Sequence, residues 1–145
     1  MIKKVMIIGP GNSGKTSLFN FLEDKQEAPR RRQDAIFGKK TIDVPGSYVE
    51  IPWMYKNVIT LSQNYAWAVL VLVNQEQEEE VYSPGFAKVF HGKVIGVVTK
   101  CDSKPENREK AKEQLRKIGV AEPYFFISNK TGEGREDLKR YLFST

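Results

Sequence analysis

The sequence predicts a three-layer α/β fold, in which a mainly parallel sheet carries helices on both of its faces. Four short apolar runs with β-branched or aromatic residues, at positions 5–8, 66–73, 94–98 and 124–127, are typical of strands buried on both faces. Amphipathic segments lie between these runs, and such alternation indicates crossover connections and parallel strands. A sheet of this kind binds its ligand at the carboxyl ends of the strands.

The size and composition of the chain predict one domain. The chain has 145 residues, of which 40% are hydrophobic and 28% charged, a balance that suits one continuous core without an internal boundary. The single cysteine, Cys101, cannot form an intrachain disulfide, and the first apolar run is too short for a signal peptide. The longest apolar stretch, residues 65–73, is about half as long as a spanning helix needs. We therefore expect a cytoplasmic protein without a membrane span.

The distribution of charge argues against a nucleic-acid partner. The net charge is +5, but basic residues are mixed with acidic ones except at Arg30–Arg32, and Glu78–Glu80 forms an acidic counterpart. A nucleic-acid face usually needs a broader basic stripe with interleaved aromatic residues. We interpret both charged runs as solvated loops.

Four helical patterns fill the segments around the predicted strands. Their apolar residues recur at the spacing of one helix face, and these residues are Leu18, Phe21 and Leu22; Met54, Val58 and Leu61; Ala111, Leu115 and Ile118; and Leu138, Tyr141 and Leu142. Ser103, Pro105 and Glu106 form a start signal for the third helix, and Gly119 marks its end.

The strongest functional signal follows the first predicted strand. Residues 9–16 read GPGNSGKT, a G-x-x-x-x-G-K-T phosphate loop in the strand-to-helix setting that this motif requires. The glycines let the backbone amides and the positive end of the next helix face a phosphate. Lys15 then reaches the β- and γ-phosphates, and the Thr16 hydroxyl binds Mg²⁺. The predicted phosphate-binding residues are Gly9, Pro10, Gly11, Asn12, Ser13, Gly14, Lys15, Thr16 and Ser17.

A second candidate segment, DVPG at 43–46, follows the short apolar run Thr41–Ile42. The Asp43 carboxylate is placed to contact Mg²⁺ through a water molecule, while the Gly46 amide faces a γ-phosphate. Asp-x-Pro-Gly is also an ordinary turn sequence, so by itself it is weak evidence for a magnesium site. It supports that site only in combination with the other motifs. We predict Thr16 and Asp43 as the metal site, and Lys15, Thr16, Asp43 and Gly46 as the catalytic set.

Two base-binding motifs follow the last two predicted strands. In TKCD at 99–102, a carboxylate can accept the N1–H and 2-amino protons of guanine, which adenine does not offer. SNK at 128–130 is placed to meet the base from the other side. We therefore expect GTP or GDP as the ligand, with ATP as the weaker alternative. The predicted residues are Thr99, Lys100, Asp102, Ser128, Asn129 and Lys130.

Together, GPGNSGKT, DVPG, TKCD and SNKTGEG resemble the phosphate, magnesium and guanine motifs of Ras-like small GTPases. The short connection between Thr16 and Asp43, with DVPGSYVE and SPGFAKVFHGKVIGVVTKCD, resembles the EutP/PduV family more closely. The resemblance implies a Ras-like P-loop sheet, a bound purine nucleotide with Mg²⁺, and a setting in bacterial ethanolamine or propanediol catabolism. It also implies a microcompartment shell as a candidate protein partner.

Two departures from the Ras-like pattern affect turnover. No threonine occurs between Thr16 and Thr41, although Ras-like switches use one there to complete the magnesium shell. Gln33 or Asp34 are candidate substitutes, and Arg30–Arg32 is either a phosphate clamp or, as we favour, a solvated loop. Ser47 stands where a glutamine orients the attacking water and is too short for that role. Hydrolysis is then slow and assisted by a partner, or the γ-phosphate goes to another acceptor.

Two alternative functions remain open at this point. The first is an acyl kinase that transfers phosphate between a short carboxylate and a nucleotide, which agrees with a phosphate loop that lacks a water-positioning glutamine. The second is a targeting or scaffold protein that its nucleotide stabilises. Trp53 and Tyr55 would supply the docking surface, although helix packing is the simpler role for at least one of them.

Overall fold

The structure, a computed structural model, describes residues 3–11, 13–24, 34–77 and 81–144. Its strands are β1 (Lys4–Ile8), β2 (Ile36–Phe37), β3 (Thr41–Asp43), β4 (Ala66–Asn74), β5 (Lys93–Thr99) and β6 (Phe125–Phe126). They form one sheet in the order β2-β3-β1-β4-β5-β6, parallel throughout except for the antiparallel pair β2–β3. The predicted mainly parallel sheet is confirmed.

The described α-helices are α1 (Lys15–Glu23), α2 (Ser47–Glu50), α3 (Tyr55–Tyr65), α4 (Arg108–Ile118) and α5 (Arg135–Phe143). The four predicted helices correspond to α1, α3, α4 and α5. Met54 lies just outside α3, at the end of a 3₁₀ turn that begins with Pro52. Tyr141 does not belong to the buried face of α5: it is 45% exposed, and its ring packs on Phe125 of the edge strand.

The core lies on both faces of the sheet, because successive side chains of a buried strand point to opposite sides. In β4, Val69 and Val71 pack in the cluster that contains residues of α3 and α4. Leu70 and Leu72 pack in the other cluster, with residues of α1 and α5. These two clusters explain why the apolar runs are continuous rather than alternating, and they confirm the three layers.

The carboxylate of Glu23, at the end of α1, fixes the start of β3. It accepts hydrogen bonds from the amides of Lys39, Lys40 and Thr41 at 2.7–2.8 Å and from the Thr41 hydroxyl at 2.6 Å. Partial burial by itself raises the pKa of Glu23, but these hydrogen bonds outweigh it and lower the pKa below the usual value. Since β3 ends at Asp43, Glu23 also helps to place that carboxylate.

Candidate nucleotide-binding site

The phosphate loop joins β1 to α1. Ser13 closes the turn, because its amide and its hydroxyl both donate to the Pro10 carbonyl oxygen, at 3.2 and 2.6 Å. Gly14 precedes α1 with a φ of +88°, a conformation that residues with a side chain rarely adopt, and it provides no side-chain cap. The N-terminus of α1 therefore faces the loop, an arrangement that binds phosphate in many proteins.

Lys15 folds back over this loop instead of extending into solvent. Its side chain is buried, and its Nζ donates to the Pro10 carbonyl oxygen at 3.1 Å. The ammonium group thus contacts the backbone of the loop at which we expect the phosphates. A bound phosphate would offer it a charged acceptor in place of a neutral carbonyl, and charge-assisted hydrogen bonds are about twice as strong.

Thr16 and Asp43, the predicted metal pair, are brought together across 27 residues of chain. The Thr16 hydroxyl donates to Asp43 Oδ2 at 3.2 Å, and the aspartate is buried at the end of β3. No group of three histidine, cysteine or acidic residues within the described residues would hold a metal by itself. One carboxylate with one hydroxyl fits Mg²⁺, which typically takes its remaining ligands from phosphates and water.

The segment after Asp43 lies directly against the phosphate loop. A Cβ added to Gly46 would lie 2.5 Å from the Gly11 amide nitrogen, so only glycine fits here. From α2, Glu50 accepts a hydrogen bond from the same Gly11 amide at 2.8 Å. Sequence analysis did not identify Glu50, because an acid in a short helix belongs to no recognised motif.

The TKCD segment starts in the interior and ends at the surface. Thr99 is buried, whereas Asp102 is exposed. Lys100 has a φ of +57°, and its ammonium group lies 3.3 Å from Glu76 Oε1. Burial and nearby carboxylates raise the pKa of the Cys101 thiol, which keeps it protonated and unsuited to nucleophilic attack.

The SNK loop contacts both the TKCD loop and the phosphate loop. The Cys101 amide donates to the Ile127 carbonyl oxygen at 3.0 Å, which joins the two base loops. Asn129 Nδ2 donates to the Gly14 carbonyl oxygen at 3.3 Å, which ties the base side to the phosphate side. Ser128 is buried and its hydroxyl accepts from the Thr131 amide at 3.1 Å, while Lys130 is exposed.

Gln75, which directly follows β4, supports the TKCD loop from behind. Its Nε2 donates to the carbonyl oxygens of Cys101 at 3.1 Å and Ser103 at 2.8 Å, and its own carbonyl accepts from Asn107 Nδ2 at 3.1 Å. Gln75 and Asn107 are buried. Sequence analysis missed both, although a glutamine at the end of an apolar strand is a signal that a neighbouring loop needs hydrogen-bond partners.

Several predicted residues lie outside the described part of the chain: Asn12, Arg30–Arg32, Gln33 and Glu78–Glu80. Trp53 is 70% exposed, whereas the Tyr55 ring packs against Phe86 with centroids 5.0 Å apart. Within the residues that the structure describes, no helix has the length and apolar character of a membrane span.

Comparison with known proteins identifies relatives over nearly the whole chain. The family model for PduV-EutP, described as ethanolamine utilisation and propanediol utilisation, matches residues 2–144. The chain is 30% identical to the propanediol utilization protein PduV of Citrobacter freundii, over 97% of this chain and 93% of that protein. It is 29% identical to a probable acetate kinase, EutP, of Escherichia coli K12, over 99% and 91%.

Solved structures with the same fold include proteins whose descriptions mention GTP or a GTP analogue. A probable GTP-binding protein, engB, superposes with a TM-score of 0.67 at 18% identity, covering 94% of each chain. Elongation factor SelB of Methanococcus maripaludis, in complex with a GTP analogue, superposes with a TM-score of 0.68 at 20% identity, over 97% of this chain and 33% of that one. At these identities the likeness establishes the fold.

Proposed function

This chain belongs to the PduV-EutP family of ethanolamine- and propanediol-utilisation proteins, and we propose that it binds a purine nucleotide with Mg²⁺, prefers GTP and hydrolyses it slowly. The observation that carries the proposal is the convergence of four loops at one edge of the sheet. The phosphate loop touches the DVPG segment through Thr16 and Asp43 and touches the SNK loop through Asn129. The SNK loop in turn contacts TKCD.

In this proposal each phosphate-side group has a separate task. The amides of the phosphate loop and Lys15 neutralise the β- and γ-phosphates, and the Gly46 amide contacts the γ-phosphate. Thr16 and Asp43 hold Mg²⁺, which supplies charge neutralisation to the bound phosphates. Ser47 offers no group long enough to orient water, so positioning of the nucleophile is the weak element and turnover is slow.

On the base side, the proposal assigns recognition of guanine to the Asp102 carboxylate. Thr99, the last residue of β5, and Ser128 are buried and shape the site, while the stems of Lys100 and Lys130 cover the nucleoside. Asn129 sets the distance between base and phosphates through its bond to Gly14. A site built to satisfy guanine donors rejects a base that lacks them by several powers of ten.

The proposed setting is the cytoplasm of a bacterium that degrades ethanolamine or propanediol. The family description and the name of the Citrobacter relative support this setting. We include a microcompartment shell as the candidate protein partner. The exposed Trp53, on the turn after α2, supports a docking role near the nucleotide.

A second candidate is an acyl kinase, favoured by the name of the Escherichia coli relative, a probable acetate kinase. In this reaction a carboxylate oxygen of the acid attacks the γ-phosphorus of the nucleoside triphosphate. The bond to the β,γ-bridging oxygen breaks, and the products are an acyl phosphate and a nucleoside diphosphate. The absence of a glutamine at Ser47 is compatible with it, because the acceptor is then not water.

Turnover measurements separate these functions. Purified protein with Mg²⁺ and GTP should release phosphate at about 10⁻⁴ to 10⁻³ per second, and acetate or propionate should not change the rate. ATP should be bound far more weakly than GTP. Acyl phosphate formed from ATP and acetate, trapped as the hydroxamate, would replace the GTPase proposal with the kinase.

A further inference from the structure

Glu50 places a negative charge in the phosphate loop of this chain. Its Oε1 lies 2.8 Å from the Gly11 amide nitrogen, which donates a hydrogen bond to it. The contact spans 39 residues of sequence, so it results from the way α2 lies against the loop and not from local chain geometry. Backbone amides of a phosphate loop commonly bind the oxygens of a phosphate. The Glu50 carboxylate therefore occupies an amide that a phosphate could use.

The Glu50 carboxylate lies beside Gly46, the residue that we propose to contact a γ-phosphate. α2 begins directly after Gly46, whose amide is proposed to face that phosphate. A Cβ added to Gly46 would lie 2.7 Å from Glu50 Oε1 and 2.5 Å from the Gly11 nitrogen. Gly46, Gly11 and the Glu50 carboxylate are therefore packed together, with no space between them for a phosphate group.

We propose that Glu50 determines specificity between nucleoside di- and triphosphates, by competing with the γ-phosphate for the Gly11 amide. The inference rests on the proposed nucleotide-binding function. One N–H cannot donate fully to a carboxylate and a phosphate oxygen at once, and two anions this close repel each other. A triphosphate must displace Glu50, whereas a diphosphate leaves the contact in place. Glu50 therefore lowers triphosphate affinity selectively.

The Glu50 side chain can move out of the site toward solvent. α2 has only four residues, and the chain leaves it in an extended conformation at Ile51 before the 3₁₀ turn that contains Trp53. We expect release of the carboxylate to shift the end of this short helix, and Trp53 lies three residues further on. Triphosphate binding should therefore change the environment of Trp53, which is 70% exposed.

Calorimetry of GDP and of GppNHp, a non-hydrolysable triphosphate, tests the proposal. Glu50→Gln keeps the shape of the side chain and removes its charge. We expect it to strengthen GppNHp binding by about tenfold, the size of one charge-assisted hydrogen bond, and to change GDP binding by less than about twofold. Glu109→Gln, which removes a carboxylate paired with Lys112 on α4, should change neither affinity.

Tryptophan fluorescence is a second test that leaves Glu50 unmutated. The chain has two tryptophans, so Trp67→Phe leaves Trp53 as the sole reporter. Its emission should change with GppNHp and not with GDP. An unchanged GppNHp-to-GDP affinity ratio in Glu50→Gln, or equal emission changes with both nucleotides, would overturn the inference alone. No nucleotide binding by any of the proteins would overturn the proposed function together with the inference.

Discussion

The two halves of the candidate site differ in what their polar groups contact. On the phosphate side, Lys15 contacts a carbonyl oxygen of its own loop, Thr16 contacts Asp43, and Glu50 contacts Gly11. Each of these contacts uses a group that a phosphate or Mg²⁺ would need. A ligand must therefore exchange existing contacts for its own on this side.

The base side is held together mainly by backbone groups and by the Gln75 side chain, which is not among the predicted ligand-binding groups. The Cys101 amide bonds to Ile127, the Ser128 amide bonds to Glu133, and Gln75 bonds to the backbone of the TKCD loop from behind. These contacts are made by buried backbone and amide groups, while the Asp102 carboxylate remains at the surface. The base half is therefore built before the ligand arrives, and such preorganisation favours specificity.

The largest expected effect on nucleotide affinity is that of a substitution on the base side. Asp102→Asn replaces a double acceptor by a group that presents one acceptor and one donor, so GTP affinity should fall by about 10³-fold or more. Xanthosine triphosphate should gain affinity in the same variant. Competition binding with both nucleotides measures the switch. Equal affinity of the wild-type protein for ATP and GTP would show that TKCD does not read the base.

The second-largest effect is expected for Lys15→Ala, because this substitution removes a charged contact from the phosphate side of the site. We expect triphosphate affinity to fall by about 10²-fold, with the fold retained. Calorimetry gives the affinity and circular dichroism the folded state. Lys56→Ala, an exposed lysine of α3, is the matched control. Undiminished affinity in a folded Lys15→Ala protein would exclude the phosphate loop as the binding site.

Asn129→Ala tests a side chain that joins the two halves. Loss of its 3.3 Å bond to Gly14 should weaken the binding of both GDP and GTP by about three- to tenfold, the size of one neutral hydrogen bond. Because the bond lies between the halves, the ratio of GDP to GTP affinity should stay constant. A change confined to one nucleotide would mean that Asn129 acts within one half only.

Glu23→Gln tests the support of the phosphate side through stability. The variant should lose about 2 kcal/mol at neutral pH, because several donors lose a charged acceptor. Since the folded pKa of Glu23 lies below its ordinary value of 4.5, its contribution is present above that pH and disappears as the pH falls through the folded pKa. Urea denaturation of both proteins should therefore converge in acid. Glu106→Gln, at an exposed glutamate, should be indistinguishable from wild type at either pH.

The smallest effect is expected for Ser47→Gln. A longer amide can reach the attacking water, but the developing charge on the phosphate is still neutralised incompletely. The GTPase rate should rise only about two- to fivefold in single-turnover assays, on the order of one weak hydrogen bond. A wild-type rate of several per second without any partner would contradict slow hydrolysis and would direct mutagenesis to Gln33 and Asp34.

Sequence patterns predicted the fold and the motif residues, since both depend on local spacing. Val5 to Ile8 as a buried strand and GPGNSGKT as its following loop can be read from adjacent residues. The groups that sequence reasoning missed act over long separations: Glu50 contacts Gly11 across 39 residues, and Gln75 contacts Cys101 across 26. Strand β2 was missed for another reason: the apolar run that contains it, residues 35–37, is shorter than any of the four runs from which strands were predicted.

Hydrogen exchange of nucleotide-stripped protein, with and without GppNHp and Mg²⁺, is the most direct test of the claim that only the phosphate half rearranges when a triphosphate binds. Amides in buried, fully bonded segments exchange slowly. We predict that the hydrogen-bonded amides of Cys101, Ser103, Ile127, Ser128 and Gly132 are already protected without ligand and change little. The exchange rates of amides in residues 9–16 and 43–50 should change when the nucleotide binds. Larger changes in the two base loops than in the phosphate loop would contradict a prebuilt base half, and no change in residues 9–16 would contradict nucleotide binding at this site.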